Sequence, residues 1–199
     1  MQYNFDEIID RRDTGSLKWH YNDDTIALWV ADMDFKAATP ILSAVEQVMQ
    51  HGILGYTKPT DALYNSIINW HGKRYDLRLE KQNILFSPGV VPSLALMMNV
   101  FTKVGETVMV NDPIYTPFMS KVEQNGRKKY NVAIVSDEIH QDLTLIGHTF
   151  TPFLTLAEGY EHNVVSLTSM TKTFNIAGIK GSMIFAKDKA LTKKISQQQ

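Results

Sequence analysis

Four short apolar runs constrain this chain most: TVMV at 107–110, VAIV at 132–135, VVSL at 164–167 and MIF at 183–185. They show little alternation of polar and apolar positions. A strand with one wet face alternates, whereas a strand covered on both faces reads as a continuous apolar run. Helical patterns separate the runs. Over 39–52, Thr39 can cap, Pro40 suits a first turn, Ile41, Leu42, Val45, Val48 and Met49 form one stripe, and Gly52 stops the helix. Further helices are expected over 62–75 and over 92–101, ahead of Gly105. Doubly covered strands alternating with helices predict an α/β fold, with a mainly parallel sheet in a three-layer α/β/α arrangement. In such sheets ligands bind beyond the carboxyl ends of the strands, so the polar residues after each run are the ones to inspect.

Those residues form a set. After 132–135 come Ser136, Asp137, Glu138, Ile139 and His140; after 164–167 come Thr168, Ser169, Met170, Thr171 and Lys172; after 107–110 come Asn111, Asp112, Pro113, Ile114 and Tyr115. An acid, an amine flanked by hydroxyls, and an aromatic ring therefore stand at three strand ends. Pyridoxal phosphate needs such groups: an amine to form the Schiff base, a carboxylate to keep the pyridine nitrogen protonated, and a face to stack on the ring. Gly89, Val90 and Val91 precede Pro92 at a helix start, where free backbone N–H groups favour a phosphate, and Ser169 and Thr171 add hydroxyls. Each residue alone reads equally as a cap, a turn or a solvated charge; the set carries the reading.

Other classes are disfavoured. The 199 residues are 44% hydrophobic and 21% charged, ordinary for a folded chain, and a net charge of −1 with dispersed Lys and Arg offers no basic track for nucleic acid. The six His are scattered and Cys is absent, so no metal site is expected. Neither GxGxxG nor GxxxxGK[ST] occurs, which argues against a dinucleotide or P-loop site. No stretch is long and apolar enough to span a bilayer and the charged start lacks a leader-like segment, so a cytoplasmic location is expected.

Five stretches carry a family resemblance: FDEIIDRRDTGSLKW (5–19), WVADMDF (29–35), SPGVV (87–91), SDEIHQDL (136–143) and SMTKTFNIAG (169–178). With them the chain resembles the fold-type I pyridoxal-phosphate enzymes of the class I/II aminotransferase group. The similarity is strongest to the cystathionine β-lyase (MalY/PatB-like C–S lyase) branch, with His140 where aminotransferases usually carry Tyr. The resemblance implies that Lys172 carries the cofactor and serves as acid and base at Cα. It gives Asp137 to the pyridinium, Tyr115 to ring stacking, and His140 to the cofactor site. Gly89, Val90, Val91, Ser169 and Thr171 would hold the phosphate, with Lys180 where aminotransferases place an Arg. It further implies a homodimer with shared active sites, in which Tyr56 reaches the neighbouring subunit's phosphate. The implied reaction is α,β-elimination on cystathionine or a related L-cysteine S-conjugate, giving a thiol, pyruvate and ammonia. An aminotransferase or an inactive cofactor-binding fragment are the alternatives.

The same resemblance divides the chain into an N-terminal arm and substrate-side segment at 1–35 and a large cofactor-binding domain at 36–199. It also marks two departures. The family carries a strand, a loop whose Asn bonds the cofactor's phenolic oxygen, and a helix ahead of SDEIH, whereas here Arg127 runs through Lys128, Lys129 and Tyr130 into Asn131. An internal deletion near 127–131 is thus expected. The small C-terminal domain, with the Arg that grips the substrate carboxylate, is expected to be missing.

Overall fold

The computed structural model describes residues 3–20, 26–110, 115–126 and 133–199. The expected deletion point at 127–131 and residues 111–114 lie outside the described residues. The chain forms two compact units, Met1–Thr57 with Thr171–Ile179, and Lys58–Met170 with Lys180–Gln199.

The second unit is built on a four-stranded sheet in the order β1-β4-β3-β2, with β1 at Ile84–Ser87, β2 at Ile134–Asp137, β3 at Val164–Thr168 and β4 at Ser182–Phe185. The two central strands, β3 and β4, are buried along their whole length, which is what their continuous apolar runs require. Alternate residues point to opposite faces. Val164, Met183 and Phe185 join Ile67 of α2 (Asp61–Tyr75) in one core, while Val165, Leu167 and Ile184 join residues of two other helices in a second core. Those helices are α3 (Val90–Phe101), which gives Met97 and Val100, and α6 (Lys189–Gln198), which gives Leu191 and Ile195. Helices on both faces of the sheet make the expected three layers. The Thr60 side chain caps α2 by accepting from the Leu63 N–H, and Asp188 caps α6 by accepting from Leu191.

Three details differ from the sequence reading. The described sheet is mixed: only β2 and β3 run parallel, and β4 is antiparallel to both its neighbours. Between β3 and β4 lie a four-residue helix and loop, not a helix long enough to carry the chain back along the sheet for a parallel return. Residues 107–110 make no strand; Thr107 forms a single bridge and Met109 is 62% exposed. A single bridge is not a ladder, and the apolar pattern alone cannot distinguish the two cases. The strand β1 had no counterpart in the reading.

In the first unit α1 spans Thr39–His51. Ala38, not Thr39, is its N-cap; Pro lies in the first turn; and Gly52 ends it at φ 76°, its N–H donating to the Met49 carbonyl. The expected stripe exists but is not buried: Leu42, Val45, Val48 and Met49 are all exposed. Among the described residues, no helix of either unit is long and apolar enough to cross a membrane.

Candidate functional site

In the second unit the strand register gathers polar groups at one end of the sheet. Asp137 at the end of β2 stands opposite Leu167, Thr168 opposite Met183, and Ser87 at the end of β1 opposite Ser182 at the start of β4. The N-terminus of α3 emerges at the same end, two residues after β1, with Gly89 as its N-cap. The first-turn N–H groups of a helix have no intrahelical acceptor, and Pro92 removes one that would otherwise be orphaned. Hydroxyls brace this corner. Ser93 Oγ donates to the Gly89 carbonyl at 2.8 Å and lies 3.2 Å from Ser182 Oγ, which in turn donates to the Ser87 carbonyl. Ser169 is buried and donates to the Gly181 carbonyl at 2.6 Å. Gly89, Val90, Val91 and Ser169 are thus brought to one end of the sheet. Lys180, next in sequence to Gly181, is exposed.

Asp137 opens onto a cavity of about 770 Å³ that Tyr115 also lines. Tyr115 is 66% exposed and caps α4 (Thr116–Gln124), its ring edge-on to Phe118. The Asp137 carboxyl accepts from the Ile139 N–H at 3.1 Å. Although its tip reaches solvent, the protein crowded around it raises its pKa by desolvation, with the Ile139 N–H and His140 pulling the other way. Among the described residues no Lys or Arg forms an ion pair with it. A partly dehydrated carboxylate that no Lys or Arg pairs with among the described residues favours a positively charged ligand group.

The neighbouring Glu138 is structural. It is buried, accepts from the Phe153 N–H and the Ser166 hydroxyl, both at 2.8 Å, and leaves Oε2 unpartnered; burial raises its pKa. Asp142, further along SDEIHQDL, accepts from Trp70 Nε1 at 3.1 Å and from the Tyr75 hydroxyl, and pairs with Arg74, which ties α2 to the segment behind Asp137.

Lys172 belongs to the first unit. It sits in the four-residue helix α5 (Met170–Thr173), half-buried, with Nζ donating to the Ala31 carbonyl at 2.7 Å. Three residues on, Asn175 takes the left-handed conformation at φ 52°, which Asn tolerates better than most residues. Its Oδ1 accepts from the Met33 N–H at 2.9 Å, and its Nδ2 donates to the Met33 and Phe35 carbonyls. The lysine turn and the WVADMDF segment are therefore clamped to each other. That segment is held in turn by charge: Asp34 accepts from Arg11 at 2.6 Å, Lys18 at 2.6 Å and Trp19 Nε1 at 2.7 Å, and Asp32 accepts from Arg11 at 2.6 Å. Burial pushes the Asp34 carboxyl up, but the three donors outweigh it and hold the pKa down to about 2. Tyr56, also in this unit, is fully exposed. Asn175, Glu138, Asp142 and the Arg11–Asp34 pair were not singled out from sequence. Only the αL tolerance of Asn could have marked one of them.

The aminotransferase class I and II family model matches residues 23–133 and 127–199. The chain belongs to this family. Within it, cystathionine β-lyase PatB of Bacillus subtilis is 31% identical over 257 residues, covering 97% of this chain and 66% of PatB. That alignment is longer than the chain, so PatB carries residues within the matched span that have no counterpart here; the family match itself is broken at 127–133. Among solved structures, cystalysin of Treponema denticola, which contains pyridoxal 5′-phosphate, superposes with a TM-score of 0.93 at 25% identity over 100% of this chain and 67% of its own. The pyridoxal-phosphate-bound C–S lyase of Staphylococcus hominis gives 0.91 at 25% identity, over 99% and 67%. The three-layer architecture is thus that of the fold-type I enzymes, and this chain spans just under two thirds of the length of PatB.

Proposed function

We propose that this chain is the cofactor-binding part of a pyridoxal-phosphate C–S β-lyase that cleaves cystathionine or a related L-cysteine S-conjugate. The observation that carries the reading is the polar end of the sheet, where Asp137, which pairs with no Lys or Arg among the described residues, and the N-terminus of α3 lie at the same strand ends. A cationic ring nitrogen answers the first and a phosphate the second. When bound, pyridoxal phosphate supplies a sink for the electron pair left at Cα when its proton is removed.

The protein's share is positioning and proton transfer. Lys172 would hold the cofactor through its amine and would serve as the acid and base at the substrate Cα. Asp137 would face the ring nitrogen, Tyr115 would stack on the ring, and His140 would border it. Val90, Val91 and Gly89 present N–H groups to the phosphate, with Ser169, Thr171 and Lys180 as further donors. The clamp from Asn175 and the Ala31 carbonyl holds the Lys172 turn while this happens. The C–S bond breaks with departure of the thiol, and water completes the conversion of the remaining carbon skeleton to pyruvate and ammonia.

The exposed stripe of α1 and the fully exposed Tyr56 support a homodimer in which Tyr56 reaches the partner's phosphate. A cytoplasmic location, an arm at 1–35 and a large domain at 36–199 complete the reading. The test is release of pyruvate and homocysteine from L-cystathionine. Amino transfer to 2-oxoglutarate in excess of elimination would favour an aminotransferase. Cofactor binding with neither reaction would favour an inactive fragment.

A further inference from the structure

Helix α2 carries a histidine where its spacing calls for an apolar side chain. Ile67 and His71 lie one turn apart on the buried face of α2, and the His71 ring stands 4.8 Å from that of Phe185 in β4, with the planes 84° apart. A polar ring in such a core is costly unless both nitrogens are satisfied. Here they are. Nδ1 lies 2.8 Å from the Ile67 carbonyl, which can only accept, so Nδ1 carries the hydrogen and Nε2 keeps a lone pair. That lone pair accepts from Nε2 of the buried Gln141 at 3.0 Å. Burial pushes the His71 pKa down, against the pull of the Ile67 carbonyl and Asp142, and favours this neutral tautomer.

Gln141 closes the turn that follows β2. Its N–H donates to the Glu138 carbonyl at 3.0 Å, and the Glu138 N–H donates to the Leu167 carbonyl of β3 at 2.7 Å. One corner of the turn is thereby fixed to the sheet, and the other to α2 through His71. Between the corners lies Ile139, whose N–H donates to Asp137 Oδ1 at 3.1 Å. The residue after Gln141, Asp142, also reaches α2, at Trp70, Arg74 and Tyr75, so loss of the His71 bond would free the corner without detaching the segment.

We propose that the His71–Gln141 hydrogen bond aims the Asp137 carboxylate by fixing the far corner of this turn. His71 is then a positioning residue for the cationic ring nitrogen that the proposed function gives to Asp137, and its catalytic meaning rests on that reading. A buried hydrogen-bonded pair fixes one arrangement of its partners, where apolar side chains allow several.

The test reads Asp137 in the chain without cofactor, by NMR titration of its carboxyl, together with amide exchange at Ile139. His71→Leu and Gln141→Met each break the same bond. The double variant replaces both partners by apolar side chains of similar size, which should return much of the stability that either single change loses. An N–H donated to a carboxylate favours its charged form, so a loosened Ile139 N–H should move the Asp137 midpoint up from the parent's in all three. Ile139 exchange should rise about fivefold, while exchange across 164–167 in the double variant stays as in the parent. A double variant whose Asp137 midpoint and Ile139 exchange match the parent's would overturn the proposal, because packing alone would then place the turn. Loosening that spreads equally to 164–167 would overturn it too, as general destabilisation. Each result holds whether or not pyridoxal phosphate attaches to Lys172, so failure of the cofactor reading is told apart from failure of this one.

Discussion

The two units are held by different forces. In the second, Val165, Leu167, Ile184, Phe185 and Ile195 are fully buried in cores on either side of the sheet. In the first, Ala27 is the only buried hydrophobic among the described residues, while the Lys18 ammonium is buried too and the apolar side of α1 faces outward. What fixes the first unit is a set of charged and amide hydrogen bonds: Arg11 and Lys18 on Asp32 and Asp34, and Asn175 on Met33 and Phe35. The segment clamped to Lys172 is thus the part of the molecule least protected by apolar burial, and its order depends on charge.

The sharpest way to break this contrast is by truncation. Phe185→Ala should cost about 3–5 kcal/mol in urea unfolding, because it opens a cavity in a closed core, whereas Leu42→Ala in α1 should stay within about 0.5 kcal/mol at protein concentrations low enough to keep the chain monomeric. A large loss at Leu42 would mean that its stripe is covered in solution, as the proposed dimer requires, and should then depend on protein concentration. Next in size is Glu138→Ala, which strands the Phe153 N–H and the Ser166 hydroxyl and should cost about 1–3 kcal/mol. Glu138→Gln keeps an acceptor for both and carries no ionisable group into the buried site, so it should match the parent or exceed it by less than about 1 kcal/mol.

For Lys18→Met the expected effect is local. Asp34 keeps Arg11 and Trp19 but loses its buried partner, so amide exchange over 31–35 should rise about fivefold with little change in the unfolding midpoint; the figure is kept small because Asp34 is about one-third exposed.

The smallest effect is the pH response, and it has opposite signs in the two units. Asp34 is held at about 2, below its ordinary 3.8, so its contribution is present above pH 3.8 and is lost as the pH falls toward 2. Glu138 is raised above its ordinary 4.5, so its contribution is full below 4.5 and fades as the pH rises through the raised value. Acidification from pH 5 should therefore loosen 31–35 before the sheet, as read by exchange at each site. Simultaneous loosening of both would show that the units share one response.

This division also explains what was legible in the sequence. The runs at 164–167 and 183–185 announced the central strands because burial on both faces demands apolar residues at every position. Helix α1 was legible to within a residue because Pro and Gly mark its ends. The run at 107–110 misled, since a strand is defined by its ladder and only Thr107 makes a bridge there among the described residues. The direction of β4 depends on how a short connection turns, which no periodicity encodes. In the first unit, ion pairs such as Arg11 with Asp34 join residues 23 positions apart and leave no periodic trace. The cofactor residues were read as a set from strand ends and from family resemblance, and the roles of Asn175 and Glu138 emerged only from their hydrogen bonds.

The most direct test of the central claim, that Lys172 carries pyridoxal phosphate, is an intact mass of the chain after incubation with the cofactor and borohydride reduction, followed by peptide mapping. The account predicts one adduct on a chain of 22.6 kDa, located at Lys172 and absent from Lys172→Ala. No adduct, or adducts scattered over exposed lysines and unchanged in Lys172→Ala, would contradict it.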